Sequence, residues 1–79
     1  MKRKIDRSNI NKYYDLFVNV LKKKAIHVSE VQQYLNISES LAFSLMKIMA
    51  NKLDLFYCRG VLYLDPILSR KLKERIVVI

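Results

Sequence analysis

The chain has one cysteine, one glycine, one proline, one histidine and no tryptophan in 79 residues, and these shortages remove whole classes of function. Cys58 alone cannot form an intramolecular disulfide and reads as a small apolar packing residue. With His27 as the only histidine, no Cys/His set can gather around a metal. Gly60 is the single unrestricted backbone position, which excludes the glycine-rich loops that cradle nucleotide phosphates. No nucleophile elbow or paired-carboxylate motif is visible, and His27, read without a partner carboxylate or cysteine beside it, is taken as structural. The expectation is therefore a binding protein that is not an enzyme, with no metal, cofactor or small-molecule ligand. No apolar run approaches the roughly 20 residues of a membrane span. The basic start Met1-Lys2-Arg3-Lys4 leads into Asp6, Arg7 and Ser8, where a signal peptide would carry its apolar core. A soluble, cytoplasmic protein with no membrane partner is expected.

What the chain has in excess is positive charge. Fifteen Lys and Arg against seven Asp and Glu give a net charge of +8, and the natural partners of such a field are polyanions. Hydrophobic residues at 52% and charged residues at 28% are globular usage, so the chain is expected to fold as one domain over 1–79. A chain this short hides only roughly 60% of its unfolded surface, which makes a partner subunit useful to stability.

Apolar residues at Ile10, Tyr13, Tyr14, Phe17, Val20 and Leu21 recur at helical spacing and predict an amphipathic helix from about Ser8 to Lys24, capped by Ser8 or Asn9. Ala25-Ile26-His27-Val28 predicts a brief strand. Ser29-Glu30-Val31-Gln32 has capping-box spacing, so a second helix is predicted from Ser29 to about Leu35. Asn36 tolerates the left-handed conformation that ends a helix, and Ser38 is placed to cap the next, from Glu39 to about Lys52. Its apolar stripe is Ala42, Leu45, Met46, Met49 and Leu53. Leu55 to Cys58 and Val61 to Leu64 predict a hairpin closed by Arg59-Gly60, as either a two-residue mirror-type turn or a bulged turn. Asp65 caps a last helix, with Pro66 at its first position and Leu68, Leu72, Ile76 and Ile79 as its apolar stripe. The fold class is mainly α with a small β-hairpin, in the order α-β-α-α-β-β-α.

The segment from Val28-Ser29-Glu30-Val31 through Leu35-Asn36-Ile37-Ser38 to Leu45-Met46 resembles the helix-turn-helix of winged-helix regulators, the likeness covering about residues 10 to 65. It implies a helix-turn-helix at 29–53, a wing at 55–64, and the helix at 39–52 as the recognition helix in a DNA major groove. Asn36 stands where glycine is commoner. Glu39 stands where many members carry a basic or polar residue, although a carboxylate can accept from a cytosine amino group.

Short polar side chains and cations on such a helix are the groups that read base edges and phosphates, which singles out Ser40, Ser44, Lys47 and Lys52 beside Glu39. Phe43 either lies against a thymine methyl or fills core space between helix and wing. Ser29 and Ser38 either offer hydroxyls and helix amides to phosphates or serve as caps alone. Arg59 either enters a minor groove from the wing tip or is a solvated turn residue. Lys2, Arg3, Lys4 and Arg7 form either a DNA-tracking arm or a solubilising tail. Lys22, Lys23 and Lys24 also favour the end of the first helix, so their charge proves little.

Two function classes follow. One is a sequence-specific double-stranded DNA binder, a transcription regulator acting as a homodimer through its first and last helices, where Tyr13, Leu16, Val18 and Ile76-Val77-Val78-Ile79 offer apolar surface. The other is a winged-helix protein-interaction or RNA-binding module, favoured by the weakly basic recognition helix. The net charge of +8 tips the reading to DNA.

Overall fold

The first helix ends earlier than its periodicity predicts. In the computed structural model, which describes residues 5–77, α1 spans Ile10–Asp15 and continues as a π-helical segment over Leu16–Val20. There Leu21 N donates to Leu16 O at 2.9 Å and Lys23 N to Phe17 O at 2.8 Å, while Lys22 takes a left-handed φ of 55°. The reversal has a tertiary cause. Lys24 O accepts from Leu64 N at 2.8 Å, so the carbonyl of the predicted last residue is taken by the strand edge and not by a further helical turn. At its start Asn9 occupies the N-cap without a side-chain bond. Asp6 organises that end instead, accepting from Ser8 N at 3.1 Å and Ser8 Oγ at 2.6 Å, while its own amide donates to Tyr13 Oη at 2.7 Å.

Strand β1 (Ala25–His27) runs straight into α2 (Val28–Leu35) with no linker. The cap of α2 is His27, not Ser29. His27 Nδ1 accepts from Ser29 N at 3.1 Å, and Glu30 Oε1 accepts from His27 N at 3.0 Å. The reciprocal cap thus exists two residues before the predicted one, because an extended His27 (φ −91°, ψ 155°) ends the strand and starts the helix at once. His27 accordingly does have a carboxylate beside it, held by its backbone amide.

The turn between α2 and α3 (Glu39–Lys52) agrees with expectation: Asn36 has φ 54°, and Ser38 Oγ accepts from Leu41 N at 3.2 Å. Ala42, Leu45, Met46 and Met49 of α3 are buried, and Leu53 just beyond it is half-buried. Strands β2 (Phe56–Cys58) and β3 (Val61–Tyr63) pair with Cys58 opposite Val61, leaving the two-residue connection Arg59-Gly60. Both connecting residues have positive φ, 50° and 78°, so the turn is the mirror type and not the bulged one. The antiparallel sheet has the order β1-β3-β2, with His27 opposite Val61 on the other side of β3.

One core joins these elements. Phe17, Ile26, Val31, Leu45, Met49 and Leu62 are at its centre, each exposed by 1% or less. α4 (Pro66–Val77) starts as predicted, with Asp65 Oδ1 accepting from Ile67 N at 2.9 Å. Its inward residue is unexpected. Ser69 is fully buried and donates from Oγ to Tyr63 O at 3.0 Å, whereas Leu68 of the expected stripe is 39% exposed. α4 therefore sits beside the hairpin and not over the core. The side chains of Ile76 and Ile79 lie outside the described residues.

Candidate nucleic-acid interface

On α3 the residues that do not face the core form a polar row. Ser40 and Lys47 are exposed and Ser44 between them is half-buried, at spacings of four and three residues that put all three on one side of the helix. At 1.5 Å per residue the row is about 10 Å long. Asn51, which the sequence places away from the apolar stripe but without a contact role, continues it one turn further and is exposed. Its i+4 spacing from Lys47 was the available signal.

Phe43 is half-buried and packs against the core cluster, which favours the packing role over the thymine contact. Ser38 is used as a cap. Glu39 is exposed in the first turn of α3, where its charge complements the helix dipole. Lys52 stands apart from this group. It lies at the other end of α3, lining a cleft with Ser8, Asn9, Ile10 and Asn11, about 20 Å along the axis from Glu39.

The hairpin tip is docked, not projecting. Val28 N donates to Gly60 O at 2.8 Å, and a Cβ on Gly60 would stand 3.5 Å from His27 Nε2. This contact brings exposed Arg59 next to the start of α2, where Ser29 is also exposed and its Oγ lies 2.9 Å from His27 Nδ1. Ser29 and Arg59 are thus one neighbourhood, and the Ser40-Ser44-Lys47 row is another.

Charge pairing decides which cations are free. Among the described residues the ion pairs are Lys12–Asp6, Lys23–Glu30 and Lys73–Asp54, so Lys47, Lys52 and Arg59 make none. The Lys23 hydrogen bond, followed by the His27 amide, holds the Glu30 carboxyl below the usual glutamate range. Lys73 does the same to Asp54. Of the basic arm only Arg7 is described, and it is exposed; Lys2, Arg3 and Lys4 lie outside the described residues.

Tyr13 was expected to offer apolar surface to a partner, but it is buried, exposed by 7%. Leu16 and Val18 are half-buried. Tyr14 Oη donates to Leu64 O at 2.9 Å, and Tyr14 and Val18 line a cleft with Leu64 and Pro66. Next to it Ile67 is 69% exposed.

An aromatic pair on the sheet adds to the residues expected from the sequence. Phe56 and Tyr63 rings are 5.6 Å apart at 41°, on the face away from Leu62. Strand alternation was the signal, since Phe56 and Cys58 face one way and Tyr57 the other.

Among the described residues no group of three or more His, Cys, Asp or Glu could hold a metal ion, and no helix is long and apolar enough to cross a membrane. No family model, curated protein or solved structure matches the chain.

Proposed function

We propose that the chain is a winged helix-turn-helix protein that binds double-stranded DNA, with α3 in the major groove and the hairpin as its wing. The observation that carries this reading is the polar row Ser40-Ser44-Lys47 on a helix whose opposite side is wholly buried, in a chain of net charge +8. A rigid helix with short polar side chains is what a major groove admits. The sheet order β1-β3-β2, with a hairpin following the second helix of a tight helix-turn-helix, agrees with it. In this reading Ser40 and Ser44 meet base edges, while Lys47, Ser29 and Arg59 meet phosphates. Arg59 does so from a tip held against α2, so it touches backbone at the groove edge and does not reach deep into a minor groove. The protein is a transcription regulator and catalyses nothing.

The reading includes a homodimer through the first and last helices, supported by the Tyr14-Val18-Pro66 cleft with exposed Ile67 beside it. A two-fold pair of this kind sets the recognition helices about 34 Å apart on a palindrome. Ile67→Glu should then give a monomer in sedimentation velocity where the wild type is a dimer. A monomeric wild type removes the palindrome and leaves DNA binding standing.

The test is fluorescence anisotropy on a duplex from upstream of the protein's own gene and on a scrambled duplex, across salt concentrations. Each phosphate neutralised contributes about −0.9 to the slope of log K against log salt. Tighter binding to the native duplex, lost in Ser44→Ala/Lys47→Ala, is the expected result. No duplex binding even at low salt would move the assignment to a protein-interaction module.

A further inference from the structure

A groove separate from the α3 row runs between the hairpin and α4. Pairing places Phe56 opposite Tyr63 and Cys58 opposite Val61, and opposed residues share a face of the sheet. Leu62, between Val61 and Tyr63, is fully buried on the other face. The outer face is therefore four half-buried side chains of which two are aromatic. α4 borders it, tied down by the Ser69–Tyr63 hydrogen bond, and contributes Leu72 and Arg75. The groove measures about 560 Å³, with Arg59 and Arg75 in its lining and no carboxylate among the lining residues. Neither arginine makes an ion pair among the described residues, and Arg70 and Lys71, also exposed on α4, make none either.

These features select the occupant by chemistry. A purely apolar ligand would desolvate two guanidinium groups without pairing them. The second copy of the proposed dimer is placed at the separate Tyr14-Val18-Pro66 cleft, and no carboxylate lines this groove to pair with a partner's cations. A DNA duplex keeps its base faces covered by stacking, so it cannot present one to rings recessed between a hairpin and a helix. An unpaired strand can do so, because each base has a free π-face and each linkage carries a phosphate.

We infer that this groove binds single-stranded nucleic acid, with a base against the Phe56/Tyr63 pair and flanking phosphates on Arg59 and Arg75. The inference does not depend on the reading of α3. Arg59 is shared with the duplex-binding surface proposed above, but Phe56, on the outer face of the hairpin, and Arg75 have no duplex contact there, so variants at these two let the readings fail separately.

The probe is a fluorescein-labelled oligothymidylate, with binding followed by anisotropy at low salt. Phe56→Leu and Arg75→Ala should each weaken binding by about tenfold, the scale of one lost stacking or ionic contact. Both should leave affinity for duplex within about twofold. Oligothymidylate should also quench part of the tyrosine fluorescence of the wild type, and Tyr63→Phe should reduce that quench while preserving affinity. Circular dichroism checks that Phe56→Leu is folded, and Arg75→Ala, at an exposed site, carries the test by itself. Absence of oligothymidylate binding, equal affinity in wild type and Arg75→Ala, or loss of strand binding in Ser44→Ala/Lys47→Ala instead would each overturn the assignment. So would thymidine monophosphate binding as tightly as the strand.

Discussion

The α2–α3 unit and α4 are both regular α-helix but are held by different forces. α2 and α3 close on each other over Val31, Ala42, Leu45 and Met46, all fully buried, and both their starts carry side-chain caps. Among the described residues α4 buries one serine, touches the hairpin edge, and is further held by the Asp65 cap and a solvent-exposed Lys73–Asp54 pair. Exposed ion pairs of that kind contribute little. The contrast teaches that the proposed DNA-reading helix belongs to the more deeply packed part of the molecule, while one wall of the proposed single-strand groove belongs to the part with the fewer buried contacts among the described residues, which is expected to open first.

The largest effect should come from breaking the rigid side. Leu45→Ala removes a fully buried side chain from the inner face of α3 and should cost about 2–5 kcal/mol, read as a lower denaturation midpoint with global loss of helix. His27→Ala deletes the α2 cap and the acceptor for Ser29 N, and about 1 kcal/mol should be lost. Ser69→Ala removes the buried hydroxyl that donates to Tyr63 O and should cost a similar amount, about 1 kcal/mol, but in a different place. Hydrogen exchange separates the two. In Ser69→Ala the faster amides should be confined to α4, and uniform acceleration through α3 would show that α4 is as integral as the core.

The smallest effect concerns pH. Glu30 is held below its ordinary value by Lys23 and the His27 amide, so the stability it contributes is present above the unfolded glutamate value, 4.5, and is lost as pH falls through its lower folded value. The denaturation midpoint of the wild type should therefore drop more on acidification below 4.5 than that of Glu30→Gln. Equal drops in both would mean that the Lys23–Glu30 pair does not couple the end of the first helical segment to α2.

Much of the architecture was legible because it rests on short-range chemistry. Asn36 ends α2, Ser38 caps α3, and Asp65-Pro66 opens α4, each through bonds spanning no more than four residues. The apolar stripe of α3 was legible for the same reason, helical periodicity being local. The errors all involve partners distant in sequence or competing cap patterns. Ser29 fits a capping box, but His27 wins because β3 holds it in an extended conformation. The first helix stops short where the Leu64 amide takes the carbonyl of its predicted last residue.

The candidate site divides the same way. The Ser40-Ser44-Lys47 row could be read from spacing alone, since every residue in it lies on one helix. That Arg59 sits against the start of α2, that Lys52 stands apart from it, and that Phe56, Tyr63, Leu72 and Arg75 share one groove required the sheet register and the seat of α4. The sequence by itself determined the charge, the order of the elements and the inward face of α3, because each depends on composition or on neighbours within a few residues. The tertiary structure alone decided which cations are neutralised and which surfaces meet, because ion pairs and strand register join residues far apart in the chain.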